Sequence, residues 1–542
     1  MMCELNIFSM FNFRNVFLLG MLFSLVACTG SGSQNSKLAA DLGEDIEFIV
    51  LQLNDVYDIS PLDNGRVGGM ARVAEMRAQL LSTNPNVITV LDGDYLNPSL
   101  IGSLKCNIDG KDERVNGRQM VETMNALGVD YVTFGNHEFD LREGDLLARL
   151  SESKFQVICA NAMHNLADGS KVPFQQNGVD IPPYAVHLVK SPQGTVLRVG
   201  LLGLVIDSNP KDYVTYLDPF VQGRIALDKV KEESEVVLGL THLAMGTDME
   251  LAKNVPGMPL IFGGHEHVNM TRTVGETSIW KADANAKTVY VHWCTYNTKT
   301  KKLDAFSQLI PVTDMLPENE KVAKVVKKWE DFANSCMENQ GYNPNDTIGF
   351  YIVPLDGRSK SIRFKQTNLG VLVADAMQAA EVGAEVAFFN SGSIRLDDQM
   401  AGFIQERNIL ETLPFGGGIV QGNVKGADLR RLLDVGLSKS LMGSGAYQQV
   451  SSAVTVSGST YFIYDNELDD DQVYAVVTAG YLASGRQRGL EFVKEIADWK
   501  APDMRESSKF GAPKNDVRDI VIWYMKQGDN LAVARRLILL QK

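Results

Sequence analysis

The chain has 542 residues, a net charge of −14, and 45% hydrophobic against 22% charged side chains. It is too long for one compact core and too apolar for disorder, so two folded domains are expected. The acidic balance excludes a duplex nucleic-acid binder, whose phosphate partner rewards an excess of Lys and Arg; a small anion can still be held where metals or local arginines set the field.

Val16 to Ala27 is an apolar run of twelve residues, shorter than the roughly 20 that a spanning helix needs. It ends in Leu25, Val26, Ala27 and Cys28, which reads as a signal peptide over 1–27. The ending resembles a bacterial lipobox, which implies cleavage before Cys28 and a lipid on its thiol. Residues 28–44 open with a small, polar stretch suited to a tether. The expectation is export and anchoring to a bacterial membrane through that lipid, on the periplasmic or cell-surface side. Of the later cysteines, Cys106, Cys159, Cys294 and Cys336 are too widely spaced to define a disulfide framework or a metal motif, so pairing and free buried thiols both stay open.

From residue 45 to 315, apolar strands alternate with helical patterns, which predicts an α/β domain. The expected elements are strand Glu47 to Val56, helix Val67 to Leu81, strand Val87 to Asp94, helix Gly117 to Leu127 and strand Tyr131 to Asn136. Further strands are expected over Val157 to Asn161, Leu197 to Val205, Val236 to His242 and Leu260 to His265. A charged amphipathic stretch, Glu318 to Glu338, reads as a helix within a linker over 316–345. Turn chemistry at Asn343 to Asp346 then opens a second α/β domain, 346–542, with a last helix at Asp516 to Gln527.

Open α/β sheets place ligands at the carboxyl ends of their strands. Those ends here carry Asp55, Asp94 in LDGD, Asn136, His137 and Asp140 in GNHEFD, His242 in LTH, and His265 and His267 in GGHEH. Four of the seven histidines in the chain fall at these few points. Carboxylate, amide oxygen and imidazole together suit Zn, Mn, Co, Ni or Fe rather than a thiolate-bound structural zinc. The glycines before Asp94, Asn136 and His265 allow sharp turns and close approach to an ion.

In this combination and order, the motifs resemble the metallophosphoesterase and 5′-nucleotidase family that includes periplasmic UDP-sugar hydrolase and ecto-5′-nucleotidase, over nearly all of the mature length. The resemblance implies an N-terminal four-layer αββα metallophosphoesterase domain and a C-terminal α/β 5′-nucleotidase substrate-binding domain. It implies two divalent metal ions, with Asp94 bridging them, Asp55 and His267 on the first, and Asn136, His242 and His265 on the second. His137, held by Asp140, would face the reacting phosphate rather than a metal. One position departs from the family, which has His where this chain has Tyr57. A phenol, with a pKa near about 10, could bind trivalent iron as phenolate, or could only hydrogen-bond beside the metal while water fills the vacancy.

SIRFKQTNLG, NSGSIR, LPFGGGIV and SGAY continue the resemblance. They imply phosphate binding by Arg358, Arg363 and Arg395, a loop shaped by Asn390 and Gly392, and a base held between Phe415 and Tyr481. Core packing is the alternative for those two rings. Where the family has Gly-Gly-Asp-Gly to hold ribose hydroxyls, this chain has Gly485, Arg486, Gln487 and Arg488. Gln487 is a weaker acceptor than a carboxylate. The implied activity is two-metal hydrolysis of a small phosphate ester, foremost a 5′-nucleotide. The alternatives are a cyclic-nucleotide or nucleotide-sugar phosphohydrolase, or a nucleotide-binding lipoprotein without turnover.

Overall fold

Strand Asp45–Leu53 alternates exposed and buried residues only at its start; from Phe48 onward every side chain is buried. That profile marks a strand entering the space between two layers. It pairs in parallel with Val87–Asp92, which is followed by Tyr131–Thr133 and Gln156–Val157, while antiparallel Thr288–Asn297 and Lys302–Pro311 complete a six-stranded sheet. A second six-stranded sheet runs in the order Tyr184–Lys190, Val196–Val205, Val236–His242, Leu260–Gly263, Thr277–Lys281, Met270–Val274. The computed structural model describes residues 43–528 except 64, 109, 209–210 and 397. The expected signal peptide, Cys28 and the expected tether as far as residue 42 lie outside the described residues.

The two sheets stack through Phe48, Val50, Ile88 and Val90 against Leu201, Leu238, Leu240 and Phe262. Helices Met70–Thr83 and Arg118–Leu127 cover the first sheet, and Pro219–Glu233 and Met245–Asn254 cover the second. The result is the four-layer αββα arrangement. Each fully buried Leu, Ile, Val or Phe in these layers contributes about 1.5–3 kcal/mol. The helix Pro219–Glu233 starts where Asp218 accepts hydrogen bonds from the amides of Phe220 and Val221, with proline at its first position.

The expected strand Val157 to Asn161 stops at Val157. Beyond Ile158 the chain leaves the first sheet: the Cys159 amide donates to Pro182 O at 2.9 Å and the Ala160 amide to Gly203 O at 2.8 Å. Gly203 is needed there, since a Cβ would sit 2.2 Å from Ile158 O. Strands Glu47 to Val56, Val87 to Asp94, Tyr131 to Asn136 and Leu260 to His265 also end earlier than expected, at Leu53, Asp92, Thr133 and Gly263. In each case the chain turns into the loop that carries the chemistry.

The helix Glu320–Asn339 carries one apolar stripe that serves two cores. Val322, Val326 and Trp329 pack with the first domain, and Ala333, Cys336 and Met337 with the second. Cys336 is bridged to Cys106, in the hairpin strand Lys105–Ile108, with Cα atoms 5.9 Å apart; Cys159 and Cys294 are free and buried. The second domain builds a four-stranded sheet in the order Ile419–Lys425, Val473–Ala479, Val386–Asn390, Gln448–Val450. Helices Asn368–Ala380 and Val517–Gln527 pack on it through Leu369, Val373, Met377, Ile520 and Val521. Leu100 and Leu104 of the first domain join that second core. No helix among the described residues is long and apolar enough to cross a membrane.

Candidate metal centre

Five parallel strands of the first domain end on one patch, and their last turns bring Asp55, Asp94, Asn136, His242, His265 and His267 together. One ligand atom each of Asp55, Asp94 and His242 lies within 4.8 Å of the others, and all three residues are buried. His242 Nε2 is 3.3 Å from Asp94 Oδ2 and 4.0 Å from Asp55 Oδ1; His267 Nε2 is 3.4 Å from Asp55 Oδ1; His265 Nδ1 is 3.3 Å from Asn136 Oδ1. Such crowding of acceptors and imidazoles needs a compensating positive charge.

The backbone is strained at these residues. Asp55, Asp94, His265 and His267 all have positive φ, at 52°, 56°, 91° and 62°. Each such non-glycine residue costs on the order of 1–3 kcal/mol and persists where the surroundings over-determine it. Two glycines make the convergence possible. A Cβ on Gly135 would lie 2.1 Å from Asp94 Oδ1, and one on Gly264 would lie 2.5 Å from Asp92 O and 2.8 Å from His242 Nδ1.

The electrostatics point the same way. Burial pushes the carboxyls of Asp55 and Asp94 up, but the imidazoles against them (His242 and His267 for Asp55, His242 and His137 for Asp94) more than offset it, so both sit below the ordinary carboxylate range. Burial opposes a charge on His242, yet Asp94 and Asp55 raise it to about 10. His265 goes the other way, to about 3, through burial and the neighbouring His242. The site as folded therefore favours a cation among its carboxylates. Asp55 Oδ1 and His242 Nε2 are buried without a hydrogen bond to any described residue, as donors reserved for an ion are. His242 Nδ1 donates to Asp92 O at 2.7 Å, which turns Nε2 towards the carboxylates. The residues present fit divalent metal.

Beside this cluster, His137 Nδ1 is 2.6 Å from Asp140 Oδ2, and the His137 amide donates to Asp94 Oδ1 at 2.8 Å. The Tyr57 hydroxyl donates to Asp94 Oδ2 at 2.9 Å and is 2.9 Å from His267 Nε2. Burial, then the charges of Asp94 and Asp55, raise its phenol well above the ordinary value.

The second domain reaches the same place. A cavity between the domains is lined by Tyr57, Asp58 and His267 on one side and by Ser359, Arg395 and Glu411 on the other. The Arg395 guanidinium lies 5.7 Å from the Tyr57 ring centre. Arg358 forms a two-pronged pair with Asp356, at 2.8 Å on each prong. The carbonyl of Arg363 accepts from the Gly443 amide. Asn390 is buried and accepts from the Ser393 hydroxyl, and Gly392 packs on Gly445, where a Cβ would approach to 2.8 Å. Phe415 and Tyr481 are 45% and 43% exposed, so neither ring is core. Their loops meet where the Gly480 amide donates to Gly418 O. Arg486 stands over the Tyr481 ring at 5.9 Å, and the Gln487 side chain donates to Arg488 O at 3.5 Å.

Sequence reasoning left three residues at this centre without a role. Glu138, inside GNHEFD, is fully buried and accepts from four amides: Asp94, Tyr95, Leu96 and Gly135, at 2.6–3.0 Å. Asn54 clamps Asp55 Oδ2 at 2.9 Å, and Asn285 accepts from the Tyr57 amide at 2.9 Å. Glu138 and Asn54 had a signal, their places within the motifs GNHEFD and NDVYD.

Residues 48–269 match the calcineurin-like phosphoesterase family and residues 347–495 the 5′-nucleotidase C-terminal domain. The chain is 27% identical over 450 residues to the trifunctional nucleotide phosphoesterase YfkN of Bacillus subtilis, an alignment covering 75% of this chain but only 28% of that longer one. It is 24% identical over 521 residues to 5′-nucleotidase of Bos taurus, covering 83% and 85% of the two chains. In fold it is similar to the crystal structure of a 5′-nucleotidase precursor from Thermus thermophilus, with TM-score 0.69, 23% identity, and coverage of 89% of this chain and 96% of that one. Two matched domains joined in this order, with a buried cation site at the strand ends of the first, place the chain in the metallophosphoesterase and 5′-nucleotidase family of metal-dependent phosphoric ester hydrolases.

Proposed function

We propose that the protein hydrolyses 5′-nucleotides to nucleosides and phosphate outside the cytoplasm, anchored through a lipid on Cys28. The observation that carries this reading is the placement of Arg395 over Tyr57, which sets a phosphate-binding cation of one domain against the metal centre of the other. Asp55, His267, Asn136, His242, His265 and Asp94 would hold the divalent ions; zinc, manganese or cobalt suits these donors best, with iron as the alternative. When bound, a pair of such ions would neutralise phosphate oxygens and supply a nucleophilic water at neutral pH. His137, oriented by Asp140 through Nδ1, keeps Nε2 for the substrate phosphate and stabilises charge that develops there. Arg395 draws the phosphate in, Arg358 and Arg363 add positive field, Asn390 and Gly392 shape the loop, and Phe415 and Tyr481 take the base by stacking, at about 1–3 kcal/mol for each base. The disulfide between Cys106 and Cys336 suits an oxidising compartment.

Phosphate release from AMP, UDP-glucose and 2′,3′-cyclic AMP, with metal analysis of the same sample, tests the reading. AMP is expected to be the best substrate, and Asn136→Ala and His137→Ala to reduce turnover by about 10²-fold or more. Faster release from UDP-glucose or the cyclic ester would reassign the substrate, and no release from any of them would leave a nucleotide-binding lipoprotein.

Tyr57 serves as a neutral hydrogen-bond donor to Asp94 rather than as a ligand. Protein loaded with ferric iron is expected to lack a tyrosinate charge-transfer band. A visible band that vanishes in Tyr57→Phe would establish phenolate ligation instead.

A further inference from the structure

The strand Thr277–Lys281 ends in a lysine that is 1% exposed, deep beneath the metal centre. Four oxygens surround its ammonium: Leu243 O at 2.6 Å, Gly264 O at 2.8 Å, Glu266 Oε2 at 2.6 Å and Asp248 Oδ2 at 2.8 Å. A lysine is rarely buried unless its charge is paired, and here three protons meet two carboxylates and two carbonyls.

The identity of those oxygens is informative. Leu243 directly follows His242, Gly264 directly precedes His265, and Glu266 lies between His265 and His267. The second oxygen of Glu266 accepts from the Met245 amide, and the second oxygen of Asp248 accepts at 2.7 Å from the hydroxyl of Thr241, the residue before His242. One ammonium thus ties together the two loops that present three histidines. The loop of His265 and His267 needs tying, because both residues have positive φ and such strain persists only where the surroundings over-determine it. A neutral apolar side chain of the same length could not satisfy these acceptors.

We propose that Lys281 is a positioning residue for metal binding, holding His242, His265 and His267 in ligating geometry through Leu243, Gly264 and Glu266. The inference rests on the assignment of those histidines as ligands. It predicts that the histidines stay in place only while the ammonium does, although Lys281 itself touches neither metal nor substrate.

The test is calorimetric titration of zinc ions into the metal-stripped full chain, with thermal unfolding recorded alongside. Lys281→Met is expected to weaken zinc binding about 10–100-fold, the usual range for residues that orient metal ligands, and excess metal should restore much of the lost turnover. Lys281→Met combined with Asp248→Asn removes the carboxylate that the single change would strand, and should keep the fold and still bind zinc weakly. Glu266→Gln, on a side chain 22% exposed, should fold normally and show a smaller loss of affinity in the same direction. Wild-type zinc affinity in the folded double variant, with only the unfolding temperature lowered, would make Lys281 a purely structural residue and overturn the proposal; wild-type affinity in Glu266→Gln would do so if neither lysine variant folds. A wild-type chain that binds no zinc, or Asp94→Asn binding it as well as wild type, would instead sink the metal-centre assignment.

Discussion

Asp94→Asn is expected to lower turnover by on the order of 10³-fold or more, equivalent to about 4 kcal/mol of transition-state stabilisation. One carboxylate serves several neighbours: it accepts from the His137 amide and the Tyr57 hydroxyl, lies 3.3 Å from His242 Nε2, and belongs to the buried acidic cluster with Asp55. Asparagine keeps nearly the same shape but loses one charge and half of the acceptor capacity, so it cannot hold a second cation close to the first. The apo-protein should also lose some stability, because, against burial, His242 and His137 hold the Asp94 carboxyl below its ordinary range and an asparagine NH2 would face one of the two donors it now accepts from. The distinguishing result is therefore in the metal dependence of unfolding. Added zinc should raise the melting temperature of the wild type through mass action and leave that of Asp94→Asn nearly unchanged. Equal metal-induced shifts in both proteins would remove Asp94 from the centre.

Glu138→Ala is expected to be the most destabilising single change near the site, by about 3–5 kcal/mol. Its carboxylate is the shared acceptor for amides from two separate loops, those after Val87–Asp92 and Tyr131–Thr133. Truncation leaves four buried N–H groups without a partner, and each orphan costs about 1–3 kcal/mol before relaxation. Glu138→Gln retains one acceptor oxygen and should fall between the two. Urea unfolding of the metal-stripped forms would measure the difference. A loss below about 1 kcal/mol for Glu138→Ala would mean that water replaces the carboxylate and that the loops hold themselves.

The fold class was legible because apolar periodicity marks buried strands and amphipathic helices wherever they occur. Strand Val236–His242 has the expected bounds, and helix Val517–Gln527 begins one residue later, since Asp516 is its cap. The errors concentrate at strand ends such as Tyr131–Thr133 and Gln156–Val157, where the chain departs towards ligands or crosses between sheets and pattern no longer reports hydrogen bonding. At the centre, residue types announced themselves where chemistry needs unusual donors, as in GNHEFD and GGHEH. What was silent was support. A lysine in SIWKADANAK looks like solvated charge until the fold brings Leu243, Asp248 and Gly264 around it, and nothing near Cys106 in sequence points to Cys336, 230 residues away. Arg358 is the converse case: its charge invites a phosphate role, and nothing in its motif announces that Asp356 two residues earlier pairs with both prongs.

The bridge between Cys106 and Cys336 limits how the two halves can move. Trp329 packs in the core of the first domain and donates to Glu122. About two helical turns further on, the disulfide welds the same rod to the first domain's hairpin. Any swivel that admits substrate and ejects product must therefore slide Ala333, Cys336 and Met337 of this rod against the second core, or stay small enough to leave that packing intact.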